Sequence, residues 1–296
     1  MEDARGRAQV LALFGPTASG KSAVAAELAR RLPAELVSAD AFQVYRGLPI
    51  LTAQPEEPTR LVAIRELEDE FSVGEYERLA HAAVDETLAA GRLPIVVGGT
   101  GLYLRAALAD LALRPPPPDE LRARLEAELE RRGPEALHAR LARAAAWAAA
   151  TIAPRDRSRI VRALELLELG ELEPPPEGAR NELWTAETRH PTRLVGLVMD
   201  RGQLYARIDA RVDAMVAAGA IDEVRAAHAA GASDTARKAL GFEELLAGDV
   251  EAMKRRTRNF ARRQLTWMRK LPNVQIVDVT RREPGAVADE LVAPGP

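Results

Sequence analysis

The sequence contains no cysteine among its 296 residues, which excludes disulfide bonds and thiolate chemistry. Its four histidines are scattered without metal-ligand spacing, so no zinc centre is expected. No apolar run approaches the length of about 20 residues that a transmembrane helix needs, and the first residues lack a signal-peptide pattern. These absences favour a cytoplasmic protein with no membrane partner, and a monomer is the simplest expectation.

Lysine is also rare, because arginine supplies most of the positive charge and the chain has lysine only at positions 21, 238, 254 and 270. Lys21 belongs to the segment Gly15-Pro16-Thr17-Ala18-Ser19-Gly20-Lys21-Ser22, which matches the phosphate-binding pattern G-x-x-x-x-G-K-[ST] at every constrained position. A lysine kept against the bias towards arginine indicates that the primary amine itself is needed.

The surroundings of this segment support its reading as a phosphate-binding loop. A strand is predicted at residues 10–14 and a helix at residues 22–32, so the loop joins a buried strand to a helix N-terminus. Free backbone N–H groups, the helix dipole and the charge of Lys21 favour an anion there. We therefore predict that the eight residues of the segment bind a diphosphate or triphosphate, and that the Ser22 hydroxyl binds Mg²⁺.

Strand and helix patterns alternate along the first hundred residues and predict an α/β fold, a P-loop NTPase-like open parallel sheet flanked by helices. Two proline runs, at residues 115–118 and 174–176, bracket a stretch that is typical of helices alone. We predict a catalytic core of residues 1–112 and 192–296, and an all-helical insertion domain of residues 113–191. The remaining elements are predicted as strands at 34–38, 93–97, 192–199 and 274–279, and helices at 73–90, 202–218, 220–229, 236–246 and 249–269.

Polar residues follow three of the predicted strands, namely residues 15–22, Asp40 and the segment 98–101. Ligands of open parallel sheets bind beyond the carboxyl ends of the strands, so we expect these segments to meet in one cleft. Asp40 could be a general base, could hold Mg²⁺ as in a kinase, or could simply cap a turn. The segment Gly98-Gly99-Thr100-Gly101 lacks the aspartate of a Walker B strand, which disfavours a conventional NTPase.

Arginine-rich segments indicate a polyanionic partner. Residues 252–277 carry eight basic and no acidic side chains, although a solvated amphipathic helix, with Gln264 and Trp267 in its largely apolar stripe, would explain the pattern as well. Residues 154–162 contain four arginines, for which ion pairs with acids such as Glu165 are the alternative. Arg207 and Arg211, four apart on a predicted helix, could reach a diphosphate.

Taken in order, these segments resemble the tRNA isopentenyltransferase family over nearly the whole chain. The segments that carry the resemblance are residues 15–22, 38–40, 43–47, 52–53, 97–103, 156–165, 239–243 and 257–269. The resemblance implies transfer of a dimethylallyl group from dimethylallyl diphosphate to N6 of the adenosine beside the anticodon, which gives N6-(dimethylallyl)adenosine and diphosphate.

The resemblance also implies roles for individual residues. Asp40 would accept the N6 proton and Thr100 would assist at the reacting centre, while the phosphate loop holds the diphosphate with Mg²⁺. The anticodon stem-loop of tRNA would be contacted by Asp40, Ala41, Phe42, Gln43, Thr100, Arg122, Arg155, Asp156, Arg157, Ser158, Arg159, Arg237, Lys238, Ala239, Leu240, Gly241 and Phe242.

Two other functions stay open on the sequence alone. In a P-loop small-molecule kinase, Asp40 would activate a hydroxyl substrate and the arginines would form a lid. A nucleotide-gated RNA-binding protein would explain the phosphate-binding Lys21, but Asp40 and Thr100 would then have no function. The chain also departs from the family pattern at Ala41, where serine is common, at Gln54, where lysine is usual, and at Thr59-Arg60, where two histidines are usual.

Overall fold

The structure, a computed structural model, describes residues 9–111, 113–175 and 182–293. The chain divides into two compact units, one formed by Met1–Ala112 with Asn181–Pro296 and the other by Leu113–Arg180. The second part of the larger unit begins at Asn181, whereas the sequence predicted that it begins at residue 192. The reason is that the backbone before residue 192 is bonded to the larger unit, where Arg105 Nη2 donates to the Glu187 carbonyl oxygen (3.0 Å) and Arg189 N donates to that of Leu108 (2.8 Å).

The larger unit contains a six-stranded sheet in which every neighbouring pair of strands is parallel. The strands are β1 (Val10–Phe14), β2 (Ala34–Ala39), β3 (Thr59–Arg60), β4 (Leu93–Gly98), β5 (Thr192–Val198) and β6 (Gln275–Asp278). Their order across the sheet is β3-β2-β4-β1-β5-β6. The open parallel sheet expected from the sequence is confirmed, and only β3, with two residues, is too short to give a pattern.

The helices predicted at residues 22–32, 73–90, 202–218, 220–229 and 249–269 are confirmed, and further helices also flank this sheet. Together these helices are α1 (Lys21–Arg31), α2 (Val73–Ala89), α3 (Gly101–Leu108), α8 (Arg201–Ala217), α9 (Ala220–Ala229), α10 (Asp234–Arg237), α11 (Phe242–Leu246), α12 (Val250–Met268) and α13 (Pro284–Val292). The single helix predicted at residues 236–246 is wrong. Gly241 interrupts it with a φ of 98°, and a side chain there would also meet Met253, whose Cε lies 2.6 Å from the Cβ position.

The core of the larger unit lies around β1, which is buried along its whole length. Such burial is typical of a central strand in a parallel sheet that is covered on both faces. Leu28 of α1, Ile208 of α8 and Val287 of α13 pack in the same apolar cluster as Leu13. The strands that carry the predicted site residues are therefore held rigidly from several sides.

The smaller unit is helical, as its sequence indicates. It consists of α4 (Asp119–Arg132), α5 (Pro134–Ala144), α6 (Ala146–Ala149) and α7 (Arg157–Glu168). Leu125, Leu137 and Leu164 are fully buried in its core. Among the described residues of both units, no helix is long and apolar enough to span a bilayer.

Candidate functional site

The register of three adjacent strands brings three loops together. Gly98, the last residue of β4, pairs with Phe14 at the end of β1 and with Ala39 at the end of β2. The phosphate loop, Asp40 and the segment 99–101 therefore begin at the same level of the sheet. Gly98 allows this closeness, because a Cβ there would lie 2.4 Å from the carbonyl oxygen of Ala39.

The phosphate loop folds around an open helix end. Ala18 and Gly20 adopt left-handed backbone conformations, with φ of 64° and 94°. Gly20 is the N-cap of α1, and no side chain caps this helix end. The first amides of α1 are therefore available to an anion. Lys21 lies beside them, and its Nζ donates to the Pro16 carbonyl oxygen at 2.8 Å.

Two arginines of α8 face the same cleft. Arg207 Nη2 lies 3.6 Å from the Cβ position of Gly20, and Arg207 and Arg211 both line the cavity at the phosphate loop. Burial, and after it the Arg211 guanidinium, lower the pKa of Lys21 to about 7, although the Asp40 carboxylate acts in the opposite direction. Burial also lowers the pKa of Arg211. This concentration of positive charge is what a diphosphate would neutralise.

Asp40 combines a turn contact with a free oxygen. Its Oδ1 accepts hydrogen bonds from the N–H groups of Phe42 (2.9 Å) and Gln43 (3.4 Å). Within the described residues Oδ2 has no hydrogen-bond donor, so it can face a substrate. Burial raises the pKa of the Asp40 carboxyl, against the two backbone hydrogen bonds and the charges of Lys21 and Arg211. A raised pKa makes this carboxylate a better base.

Two adjoining cavities meet at Asp40. The larger, about 460 Å³, is lined by Lys21, Ser22 and Arg207, and the smaller, about 220 Å³, is lined by Thr100 and Lys238. Five residues line both cavities: Thr17, Asp40, Thr52, Arg211 and Phe260. Thr100 is the N-cap of α3, yet its side chain makes no capping hydrogen bond and stays available. The site therefore offers a phosphate cavity and a second cavity with a carboxylate between them.

The donor set at the phosphate loop limits what metal it could hold. Among the described residues no group of three or more histidine, cysteine, aspartate or glutamate side chains could hold an ion. Ser22 lines the larger cavity, where its hydroxyl could offer one neutral oxygen to a metal ion. Mg²⁺ suits this arrangement, because it commonly keeps several waters and takes other ligands from substrate phosphates.

The tRNA contacts predicted in the larger unit differ in their exposure. Phe42, Lys238 and Leu240 line the smaller cavity, where a base could reach them. Ala239 and Phe242 are buried, at 1% and 0% exposure, so neither presents a surface to RNA in this structure. The Gln43 side-chain amide is hydrogen-bonded within the protein: its Oε1 accepts from the Ser38 hydroxyl, and its Nε2 donates to the carbonyl oxygens of residues 52 and 53. For these residues the tRNA role stays a prediction, as it does for Ala41, Gly241 and Arg237, which pairs with Glu243.

The predicted tRNA-contacting arginines of the smaller unit carry acidic partners. Arg122 Nε donates to the buried Glu165 at 2.8 Å, and Arg155 Nε donates to Glu135 at the same distance. Arg157 pairs with Glu130, and Arg159 lies 3.5 Å from Asp156, which caps α7. Arg155 is 87% exposed and Arg159 69%. Exposed pairs contribute only about 0–1 kcal/mol, so RNA phosphates could replace them. The roles of these residues and of Ser158 stay predictions.

Two departures from the family pattern have structural explanations. The Gln54 side-chain amide donates to the carbonyl oxygens of Gln43 (3.2 Å) and Tyr45 (2.8 Å), so it fastens the loop that carries Thr52. Arg60 in β3 pairs with Glu35 and Glu86. Nothing in the structure explains Ala41.

Sequence reasoning missed the role of Gln264 at the Thr17 amide. The Thr17 N–H donates to Gln264 Oε1 at 2.8 Å and is not free for a diphosphate in this structure. The one sequence signal was a polar residue within the apolar stripe of α12. Arg258 of the same helix pairs with Asp209 of α8, so its charge is matched by an acidic partner in this structure.

Binding of inorganic diphosphate should take up a proton at pH 8. In the free protein Lys21, with a pKa of about 7, is largely neutral at that pH. A bound diphosphate would raise this pKa, so the complex holds a proton that the free protein lacks. Calorimetry in buffers of different ionisation enthalpy should give about one more proton for the wild type than for Lys21→Arg, whose guanidinium stays charged. Equal proton counts for the two proteins would contradict this.

The comparisons with known proteins agree on one family. The profile described as IPP transferase matches residues 43–271, and that described as isopentenyl transferase matches residues 8–65. A tRNA dimethylallyltransferase of Symbiobacterium thermophilum is 44% identical over 291 residues, 93% of this chain and 90% of that protein. One of Thermobifida fusca is 45% identical over 292 residues, 90% of this chain and 88% of that protein.

Solved structures give the same result. The full-length tRNA isopentenylpyrophosphate transferase of Bacillus halodurans has a TM-score of 0.69 and 34% identity, with 96% of this chain and 94% of that chain covered. A eukaryotic dimethylallyltransferase acting on tRNA has a TM-score of 0.72 at 23% identity, with 93% of this chain and 75% of that chain covered. At that identity the second likeness shows the fold alone.

Proposed function

This chain belongs to the IPP transferase family, and we propose that it is a tRNA dimethylallyltransferase that uses dimethylallyl diphosphate to modify N6 of the adenosine beside the anticodon. The observation that carries this proposal is Asp40, a carboxylate with a raised pKa and a free oxygen between a phosphate cavity and a second cavity. The family relatives are named for this activity, and none of them supports the kinase alternative.

In the proposed reaction the larger cavity binds the diphosphate and the smaller cavity holds the adenine. The amine N6 attacks C1 of the dimethylallyl group, the C1–O bond breaks, and its electron pair leaves with the diphosphate. An adenine amine is a poor nucleophile, so Asp40 accepts the proton that N6 loses. Lys21, Arg207 and Arg211 would neutralise the charge that develops on the leaving oxygen. The charges of Lys21 and Arg211 act against the burial that raises the pKa of the Asp40 carboxyl.

The smaller cavity is the proposed place for the adenine. A base in an anticodon loop must leave its stack to enter, at an expected cost of a few kcal/mol. Leu240, Val212 and Met215 offer apolar contacts to the base, and Lys238 and Arg263 offer charge for the flanking phosphates. Thr100 would hydrogen-bond at the reacting centre through its uncapped hydroxyl. The arginines of the smaller unit would contribute phosphate contacts to the anticodon stem-loop.

Mg²⁺ is proposed to accompany the diphosphate and to be held on the protein side by Ser22. When bound, it would supply further neutralisation of the leaving group. Removing one ligand weakens a metal site, so Ser22→Ala should raise the Mg²⁺ concentration for half-maximal transfer by about 10-fold. Ser22→Thr keeps the hydroxyl and should behave as the wild type in the same titration. If both variants respond to Mg²⁺ as the wild type does, Ser22 is not a ligand.

A transfer assay tests the proposed function against the kinase. Purified protein is incubated with unmodified tRNA, Mg²⁺ and labelled dimethylallyl diphosphate, and in parallel with ATP. Label in the RNA with one diphosphate released per group transferred, and with ATP unchanged, is the expected result. Consumption of ATP without label in RNA would favour the kinase. We further propose that the protein acts in the cytoplasm as a monomer, which its elution volume in gel filtration would check.

A further inference from the structure

A single side chain of α12 connects the phosphate loop to the loop that carries Thr100. Gln264 Oε1 accepts from the Thr17 N–H at 2.8 Å, and Gln264 Nε2 donates to the Gly99 carbonyl oxygen at 2.7 Å. The side chain is buried, with 5% exposure. Because each backbone partner has a fixed polarity, the amide can satisfy both in one orientation only.

The same helix fills the space on both sides of Thr100. A Cβ at Gly99 would lie 2.2 Å from Gln264 Nε2, and a Cβ at Gly101 would lie 2.1 Å from Trp267 Cε3. The two residues that flank Thr100 therefore pack directly against α12 and leave no room for side chains of their own. The position of Thr100 relative to the phosphate loop depends on this helix as well as on the sheet.

We propose that Gln264 is a positioning residue of the transfer reaction, which holds Thr100 and the phosphate loop at the separation that the reaction requires. It acts through these two loops, and the inference rests on the proposed function. Displacement of reacting groups by about 1 Å can lower a rate by about 10²-fold. Without the amide, each loop would lose a hydrogen bond that fixes it, and the separation would vary.

The variant Gln264→Met tests this inference, because methionine has a similar length but no hydrogen-bonding amide. We expect kcat to fall by about 10- to 100-fold, with an unchanged dissociation constant for tRNA. The control is Thr87→Val, which removes a buried hydroxyl bonded to the Ala83 carbonyl oxygen and to Glu35. Glu35 lies near the start of β2, at the other end of that strand from Asp40. This variant should lower Tm by about as much as Gln264→Met does, and it should leave kcat unchanged.

The outcomes separate this inference from the proposed function. A wild-type protein that transfers nothing contradicts the proposed function. A wild type that transfers, together with a Gln264→Met variant of equal kcat, overturns the positioning role. A kcat loss in Thr87→Val as large as in Gln264→Met also overturns it, because the effect would then follow from lost stability.

A second variant decides the matter even if Gln264→Met fails to fold. In Gln264→Glu the neutral acid can accept from Thr17 and donate to Gly99, whereas the carboxylate cannot donate. The ratio of its kcat to that of the wild type, both at saturating dimethylallyl diphosphate, should rise as the pH falls from about 8 to about 6. Lys21, Asp40, Glu57, Arg207 and Arg211, the charged groups that line the same cavity, are common to both proteins. A pH profile parallel to that of the wild type would overturn the inference.

Discussion

Replacement of Asp40 by asparagine should lower kcat by about 10³-fold, because loss of a general base typically costs about 10²- to 10⁴-fold. Asparagine keeps an oxygen that can accept from the N–H groups of Phe42 and Gln43, so the turn should persist. Its amide cannot accept the N6 proton. Single-turnover transfer with saturating tRNA and dimethylallyl diphosphate measures the effect directly.

Two further readouts of the Asp40 variant distinguish a base from a structural residue. The wild-type rate should fall as the pH drops through the raised pKa of Asp40, and this acid limb should be missing in the variant. The dissociation constant for tRNA should stay within about twofold, since general-base catalysis contributes to the chemical step. Asp69→Asn, which also removes a carboxylate that accepts a turn N–H, is the matched control. Loss of tRNA binding in Asp40→Asn alone would assign Asp40 to binding.

The second large effect is expected for Lys21→Met. Loss of one preorganised cationic contact to a leaving group typically costs about 10²- to 10³-fold in kcat. Methionine retains the length of the stem but loses the ammonium, whose hydrogen bond to Pro16 also supports the loop. Inorganic diphosphate should therefore bind far more weakly as well. Transfer rates and diphosphate titrations measure the two effects separately.

A matched control for Lys21→Met is Arg46→Met, which removes a surface cation paired with Glu66. It should leave kcat and diphosphate binding as in the wild type, because exposed ion pairs contribute little. If Lys21→Met retains wild-type affinity for diphosphate, the anion does not sit on the phosphate loop, and the assignment of the larger cavity is wrong.

The sheet and its three loops could be predicted from the sequence because their signals are local. β1 and β4 are short and largely apolar, and β2 contains the apolar pair Leu36-Val37. Each strand is followed within two residues by its glycine or aspartate signal. The parallel arrangement then follows from the alternation with helices. The convergence of Lys21, Asp40 and Thr100 on one edge needed no further information.

The missed features depend on contacts between distant residues. Gln264 lies 247 positions from Thr17 and 165 from Gly99, so no local pattern could pair them. The break between α10 and α11 lies at Gly241, which has a φ of 98° and packs against Met253. The acidic partners of Arg122 and Arg155 are likewise set by helix packing. Such side-chain geometry emerges only when the fold is assembled.

The most direct test of the account is nucleoside analysis of a tRNA treated with the wild-type protein and dimethylallyl diphosphate. We expect N6-(dimethylallyl)adenosine at the single position beside the anticodon. We also expect no product on the same tRNA with guanosine at that position. The dimethylallyl group on another nucleoside, or its absence from RNA under conditions where diphosphate and tRNA both bind, would contradict the central claim.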